Sequence, residues 1–394
     1  MTPTADLPTE GPTVAESAAD GAAAVLAGLP RVVDLLAARA EEHDRDATFP
    51  YQGIEALHES GLLTLTVGQR YGGPGGTLTD TVKVLAGLGR GDASVAVLAA
   101  FTLLAHAEQA RTGNWPAAWY RRLLAESRRG PALVNALRAE PGGAGGLPAT
   151  VARRNGANWS LSGRKTFCAG AEALAWLAVW ARTDEPVPRT GLFLVRGDSP
   201  GIEVDPVWDQ LGLRASASHD VQLDGVEVAA DAVVGLAEPD GRRADEERIG
   251  AAWHDLALCA VSLGVARSAL DWLVRFLRQR TPANLTEPLA TLPRYRSALG
   301  EMASSLIGAE ELVAGLAAGI DRGDPAAVDR AGAVQLLANR AATAVVQQAV
   351  ALTGNPGLSR RHPLERYLRD VLTGRMHFPP EEAVLEDVCR SALG

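Results

Sequence analysis

Two histidines in the sequence are candidates for acid–base chemistry. His377 lies near the C-terminus in the run Met376-His377-Phe378-Pro379, and His254 precedes Asp255 in a long segment of helical periodicity. A neutral imidazole can accept or donate a proton near pH 7, which suits general acid–base catalysis. A simpler interpretation is also open for each histidine. His377 could cap the final helix or face solvent, and His254 could belong to the polar stripe of its own helix.

Arg214 and His106 are two further candidates, in their case for contact with a substrate. A guanidinium group can hold a carbonyl, a phosphate or a carboxylate through two parallel hydrogen bonds. Arg214 is equally well interpreted as a surface charge. His106 lies on an otherwise apolar helix face, beside Leu103-Leu104-Ala105. A histidine in that setting is more often a core residue than a catalytic one, so a substrate role for His106 is the less common interpretation.

Three regions of different periodicity must position these residues. From Ala22 to about Arg129 the apolar residues recur at helical spacing, whereas short β-rich runs separated by turn residues follow from Pro131. Long helical segments then continue to the C-terminus. We therefore predict an α+β chain with a disordered tail at 1–21, an N-terminal helical domain at 22–130, a central β-barrel or sandwich at 131–236 and a C-terminal four-helix bundle at 237–394.

Individual elements can be predicted within these regions. The run from Tyr71 to Gly76 contains four glycines and a proline, which cannot sustain a helix and therefore predict a loop. The predicted strands are 159–161, 176–181, 191–195, 202–204 and 221–228. The predicted helices of the C-terminal region are 248–280, 293–321, 325–352 and 364–372.

Composition limits the class of protein. A net charge of −9 with mixed signs argues against nucleic-acid binding, which needs clustered excess lysine and arginine. The sequence contains no run of about 18 uninterrupted apolar residues, so we predict no membrane span. The first twenty residues lack the pattern of a signal peptide. The three cysteines have no metal-ligand spacing and are too few for a disulfide framework. We expect a cytoplasmic chain with no metal site and no nucleic-acid or membrane partner.

Five motifs resemble those of the acyl-CoA dehydrogenase superfamily, and together they span nearly all of the chain after residue 22. Each motif is weak alone, but their shared order is specific. The resemblance implies a three-domain fold with a flavin between the β domain and the C-terminal bundle. The motifs are the loop Tyr71–Gly76 with the helix after it, Glu140-Pro141-Gly142, the strand Gly163–Gly170, Trp208 with Leu211–Ser218, and Pro363–Asp370.

The resemblance also implies roles for individual residues. The strand end at Phe167 to Gly170 would offer backbone groups to the edge of a flavin ring, while the cofactor carries the chemistry. The residues expected to contact the flavin are Glu140, Phe167, Cys168, Ala169 and Arg369. The residues expected to line the substrate cavity are His106, Arg214, Ser218 and Phe378.

The adenine half of the cofactor is implied by a separate set of residues. Arg280, Gly354 and Gly357 resemble elements that reach the cofactor of a neighbouring subunit, although the Phe-Gly pair usually found after the arginine is missing. We therefore expect FAD, with FMN as the alternative. The same elements imply a homodimer or homotetramer assembled through the C-terminal helices.

The chain departs from the family at its catalytic base. A desaturating acyl-CoA dehydrogenase uses a carboxylate to remove the α-proton of a thioester, and such general-base catalysis is worth about 10² to 10⁴ in rate. The two positions that the family uses for this carboxylate hold Phe378 and His254 here. Glu381 and Glu382 follow closely, but two prolines separate them from Phe378 and prevent a continuous helix.

His377 and its neighbours resemble the two-component flavin monooxygenase branch of the superfamily. We therefore expect an oxygen-using flavin oxidoreductase that acts on a small or carrier-bound substrate, uses His377 and His254 catalytically, and receives electrons from a flavin reductase. Two alternatives stay open. One is an acyl-CoA dehydrogenase with a displaced base, an acyl-thioester substrate and an electron-transfer flavoprotein as partner. The other is an inert binding protein, because a fold does not guarantee its chemistry.

Overall fold

The computed structural model describes residues 14–142, 146–238, 245–376 and 380–393. Helices form both ends of this part of the chain and strands form its middle, as the sequence predicted. The N-terminal helices are α1 (Val14–Ala27), α2 (Leu29–Asp46), α3 (Tyr51–Glu59), α4 (Leu78–Gly91), α5 (Ala93–Thr112) and α6 (Ala117–Ser127).

The predicted tail at 1–21 is too long. Helix α1 begins at Val14, within the segment that was expected to be disordered. The physical reason is the alanine content of this segment, because alanine has the highest helix propensity of all residues and offsets the polar neighbours that suggested disorder.

The strands form a mixed sheet. They are β1 (Leu133–Leu137), β2 (Val151–Asn155), β3 (Asn158–Cys168), β4 (Leu174–Thr183), β5 (Thr190–Arg196), β6 (Ile202–Asp205), β7 (His219–Val228) and β8 (Val233–Ala237). Their hydrogen-bonded order is β6-β7-β3-β2-β4-β5-β8, and β1 pairs in parallel with β4. The middle strands are buried on both faces, which accounts for their continuous apolar runs.

The long strand β3 carries an irregularity near its end. It pairs with β7 in antiparallel register, but the register shifts between Lys165 and Cys168. Such a shift bends a strand and redirects its side chains. Phe167 lies within this irregular stretch, so it is not held in the regular alternation of the sheet.

The C-terminal helices pack around α7. They are α7 (Asp245–Gln279), α8 (Pro293–Asp321), α9 (Pro325–Thr353), α10 (Leu364–Thr373) and α11 (Glu381–Leu393), and the first four agree closely with the predicted bounds. An uninterrupted stretch of α7 from Asp255 to Ala266 is buried. Helix α7 contacts α4, α5, α8, α9 and α10, which explains why a helix can be apolar around its whole circumference.

Four helical stretches in the described part of the chain are long and apolar enough to cross a membrane by length and composition alone. Those within α5 and α7 are 72% and 78% buried inside the protein, so packing against neighbouring helices accounts for their apolar character. The other two stretches, Gly21–Asp46 and Pro293–Asp321, are mostly not covered by this chain. None of these four stretches was predicted as a candidate membrane span, because polar or charged residues interrupt the apolar run in each of them.

Candidate active site

Phe167 has an unusual conformation at the end of β3. Its backbone φ angle is 56°, in the left-handed region that aromatic residues rarely adopt, and its side chain is 65% exposed. The only described ring against it is Trp208, which meets it edge to face with 6.5 Å between centroids. Backbone strain of this kind concentrates at functional sites. A flat cofactor ring would cover the exposed aromatic surface, so this strand end fits a flavin.

The residues after Phe167 are buried. Cys168 and Ala169 are almost inaccessible to solvent, and burial raises the pKa of the Cys168 thiol to about 12. That thiol is therefore neutral and unreactive at physiological pH. The amide of Asn135 on β1 donates a hydrogen bond to the carbonyl of Ala169 at 3.1 Å. Asn135 was not predicted from the sequence, although a buried amide within the apolar run Leu133–Leu137 was a usable signal.

The loop from Trp208 to Ser218 lies directly against the end of β3. The Gly170 amide donates to the carbonyl of Ser216 at 2.8 Å, and the Ala171 amide donates to the carbonyl of Ala217 at 3.1 Å. The hydroxyls of Ser216 and Ser218 are buried and lie 2.8 Å apart. Ser218 is thus close to the strand end. We call the loop 208–218 the substrate-side loop, because Arg214 and Ser218, two residues expected to line the substrate cavity, lie in it. A substrate contact by Ser218 stays a prediction.

Arg214 and Arg369 both bind the C-terminal end of α2. The Arg214 side chain donates to the backbone carbonyl of Asp44 at 2.8 Å. Arg369 holds the Asp44 carboxylate through two hydrogen bonds of 2.8 and 2.6 Å, and it also pairs with Glu365. These contacts join α2, α10 and the substrate-side loop. Both guanidinium groups are engaged within the protein, so their predicted roles in binding substrate and flavin stay predictions.

Glu140 is held in a buried ion pair. Its carboxylate accepts hydrogen bonds from the Lys165 ammonium at 2.6 Å and from the backbone of Ala149 and Thr150. Burial alone would raise the pKa of Glu140, but these hydrogen bonds outweigh it and lower the pKa to about 2. The carboxylate is therefore ionised and anchors β3 to the segment after β1. A flavin contact by Glu140 stays a prediction.

His254 lies on α7 and is about one-third exposed. Its ring centroid is 6.3 Å from that of Phe101 on α5, and its Nδ1 atom is 3.8 Å from an oxygen of Asp255. That oxygen is buried and has no hydrogen-bond partner among the residues described. The imidazole is thus partly accessible and lies between α5 and α7. A catalytic role for His254 stays a prediction.

His106 is a core residue. It is fully buried, and its Nδ1 atom lies 2.9 Å from the hydroxyl of Tyr120. Burial lowers the pKa of His106 to about 4, so the imidazole is neutral at physiological pH. This placement agrees with the interpretation of His106 as a core residue. The described contacts of His106 do not bring it toward a substrate.

The remaining predicted site residues are His377, Phe378, Arg280, Gly354 and Gly357. His377 and Phe378 lie outside the described residues. Arg280 is exposed just after α7 ends, and Gly357 is buried in a short turn after α9, beside Gly354 with its positive φ angle of 65°. Their predicted contact with the cofactor of a neighbouring subunit is untested in a single chain.

The chain is similar to known proteins along most of its length. Three family models match it: the N-terminal domain of acyl-CoA dehydrogenase at residues 32–114, the middle domain at 140–226 and the C-terminal domain at 256–380. A putative acyl-CoA dehydrogenase, YdbM of Bacillus subtilis, is 30% identical over 372 residues, covering 92% of this chain and 95% of YdbM.

Two further similarities involve amino sugars. The amino sugar nitrososynthase DnmZ of Streptomyces peucetius is 31% identical over 372 residues, covering 89% of this chain and 88% of DnmZ. Among solved structures, KijD3 in complex with FMN and a dTDP-linked amino sugar superposes with a TM-score of 0.83 at 27% identity, covering 97% of this chain and 95% of that one.

Proposed function

Because the chain belongs to the acyl-CoA dehydrogenase family and is therefore a flavin-dependent oxidoreductase, we propose that it is an oxygen-using monooxygenase. The inert alternative is set aside, since the named relatives are oxidoreductases. The flavin would supply the redox chemistry and the activation of oxygen. Its ring would lie against the strand end at Phe167, between the β domain and the C-terminal helices.

One observation carries this proposal. His254 presents an imidazole where one branch of the family would place its catalytic carboxylate, and the sequence holds Phe378 at the other such position. Removal of an α-proton from a thioester needs a well-placed base, whereas oxygen chemistry needs a group that can hold and return a proton near neutral pH. The histidine suits the second task better than the first.

The other residues of the site would bind and orient. The exposed face of Phe167 would pack against the cofactor, and the buried backbone of Cys168 and Ala169 would line its edge. Asn135 would fix this strand end by its hydrogen bond to Ala169. The partly buried Phe101 would exclude water from the neighbourhood of His254.

The dehydrogenase alternative requires a displaced base, and the described candidates are poorly placed for that role. Glu381 forms an ion pair with Arg340 of α9, and Arg375 lies 4.0 Å from its other oxygen. Glu382 is exposed. The Glu381 carboxylate is therefore engaged in ion pairs instead of being free to act as a general base.

The similarities suggest the substrate and the partners. Relatives named nitrososynthases act on amino sugars, and KijD3 holds a dTDP-linked amino sugar with FMN. We therefore propose a nucleotide-linked amino sugar as the first substrate class to test, with FMN or FAD reduced by a separate flavin reductase. We also propose a cytoplasmic homodimer or homotetramer, in which a second copy covers the apolar α8 surface at Ile307 and Leu312.

Oxygen labelling tests the proposed function. The purified enzyme would be given FMN or FAD, NADH, a flavin reductase and ¹⁸O₂, first with dTDP-linked amino sugars and then with acyl-CoA thioesters. We expect ¹⁸O in an amino-sugar product by mass spectrometry and none under anaerobic conditions. Desaturation of an acyl-CoA without oxygen incorporation, with electrons passed to an artificial acceptor, would overturn the proposal.

A further inference from the structure

A strained turn lies within the substrate-side loop. Leu213 and Ala217 flank a short 3₁₀ turn at Arg214–Ser216, and their φ angles are 52° and 42°. Neither residue is glycine, so both adopt a backbone conformation that side chains with a Cβ atom disfavour. The surrounding structure must therefore hold this turn in place.

Asp370 of α10 supplies one of the contacts that hold the turn. Its carboxylate accepts a hydrogen bond of 2.9 Å from the Leu213 amide, although the two residues are 157 positions apart. The loop also lies directly on α10, because a Cβ atom added to Gly212 would lie only 2.3 Å from the carbonyl oxygen of Arg369. The Leu213 amide is buried here, so without Asp370 it would lose its partner.

The other end of the turn holds the end of β3. The carbonyls of Ser216 and Ala217 accept the hydrogen bonds from Gly170 and Ala171. These two amides follow Phe167 to Ala169, the stretch that fits the edge of a flavin. A continuous set of hydrogen bonds thus runs from α10 through the strained turn to the candidate cofactor site.

We propose that Asp370 is a positioning residue for the flavin site. It holds the strained turn through the Leu213 amide, and the strained turn then fixes the end of β3 that would contact the cofactor. This inference rests on the proposed flavin site, but it does not depend on the substrate or on the use of oxygen. No contact between Asp370 and the cofactor is implied.

The surroundings of Asp370 suggest a test that separates its hydrogen bond from its charge. The charged groups that act on this buried carboxyl are Arg366 of its own helix, Asp92 at the start of α5 and Asp44 of α2. Burial is the largest influence and raises its pKa to about 7. Asp370→Asn keeps an oxygen that can accept from Leu213 and removes the charge, whereas Asp370→Ala removes both.

Flavin affinity is the first measurement. Fluorescence titration with FMN and FAD should give a dissociation constant for Asp370→Asn within about threefold of wild type. Asp370→Ala should weaken binding by about 10- to 100-fold, the range expected for an unsatisfied buried amide. Thr373→Ala is the matched control. Among the described residues, the Thr373 hydroxyl donates a hydrogen bond only to the backbone carbonyl of Asp370 within α10, so this variant should bind flavin normally.

Hydrogen exchange of the flavin-free protein is the second measurement. Asp370→Ala should speed exchange of the amides at 213 and at 170–171, whereas Asp370→Asn and Thr373→Ala should not. If wild type binds no flavin, the proposed function fails together with the flavin-site role of Asp370. The exchange readout then still decides whether Asp370 holds the turn and the end of β3. If Asp370→Ala does not fold, Asp370→Ser is used instead. The serine side chain is shorter than that of aspartate, so it also loses the contact with the Leu213 amide. Two results would overturn the inference. One is hydrogen exchange at 213 and 170–171 that is unchanged in Asp370→Ala or Asp370→Ser, and the other is an equal loss of flavin affinity in Asp370→Asn and Asp370→Ala.

Discussion

The ammonium group of Lys165 lies 2.6 Å from the carboxylate of Glu140, and the Lys165 side chain is completely buried. The same ammonium donates to the backbone carbonyl of Trp180 at 2.6 Å. Burial lowers the pKa of Lys165, and Glu140 opposes that shift by favouring the charged form. The pair therefore joins β3, β4 and the segment after β1 beneath the strand end at Phe167.

Removal of one partner of this pair should destabilise the protein strongly. Lys165→Ala leaves a buried carboxylate without its counter-charge, and we expect a loss of about 3 to 5 kcal/mol in the free energy of unfolding. Urea denaturation followed by circular dichroism measures it. The control is Arg153→Ala, which removes an exposed ion pair with Asp184 and should cost less than about 1 kcal/mol. Equal losses in both variants would contradict the assigned role of Lys165.

The buried imidazole of His106 should make the protein sensitive to acid. Because folding lowers the pKa of His106 from 6.5 to about 4, its contribution to stability is complete above pH 6.5 and is lost as the pH falls through 4. His106→Gln removes this titration, so its unfolding free energy should fall less than that of wild type between pH 6.5 and 4. Tyr120→Phe keeps the imidazole and should retain the full acid sensitivity. Parallel pH profiles for wild type and His106→Gln would refute the assignment.

His254 should be needed for turnover but not for flavin binding. His254→Ala removes the group that would hold a proton beside α5, and we expect turnover to fall by about 10² or more with flavin affinity unchanged. Steady-state kinetics and fluorescence titration measure the two effects separately. His58→Ala on α3 is a control that removes a histidine elsewhere, and its activity should match wild type. A fully active His254→Ala enzyme would exclude a proton-transfer role.

The comparison of His377 with Glu381 separates the two candidate mechanisms. The oxygen-using mechanism predicts that His377→Ala keeps folding and flavin binding but lowers turnover by about 10² or more. Glu381→Gln should then matter little, since its carboxylate is bound to Arg340. The dehydrogenase mechanism predicts instead that Glu381→Gln loses turnover and that His377→Ala keeps it. Both variants should be assayed with one substrate, and loss of activity in Glu381→Gln alone would favour the displaced base.

The order and type of the elements could be predicted from the sequence because they depend on local patterns. The helical periodicity of α7, α8, α9 and α10 follows from the apolar positions that each helix buries, and the predicted bounds lie within a few residues of those observed. The motif around Phe167 also located the candidate cofactor strand, because its residue types follow one another along the chain. Strands β1, β2 and β8 and helix α11 were not predicted from the sequence. The start of α1 was assigned to a disordered tail, where alanine propensity outweighed a polar composition.

The partners of the polar side chains were decided by the tertiary structure. Arg214 and Arg369 converge on Asp44, Glu140 is bound to Lys165, and Asp370 holds Leu213 across 157 residues. A charged side chain has many possible partners in a chain of this length, and the sequence holds no periodic signal that selects one. The fold selects the partner by bringing distant elements within hydrogen-bonding distance, and burial then makes an unpaired group too costly to leave.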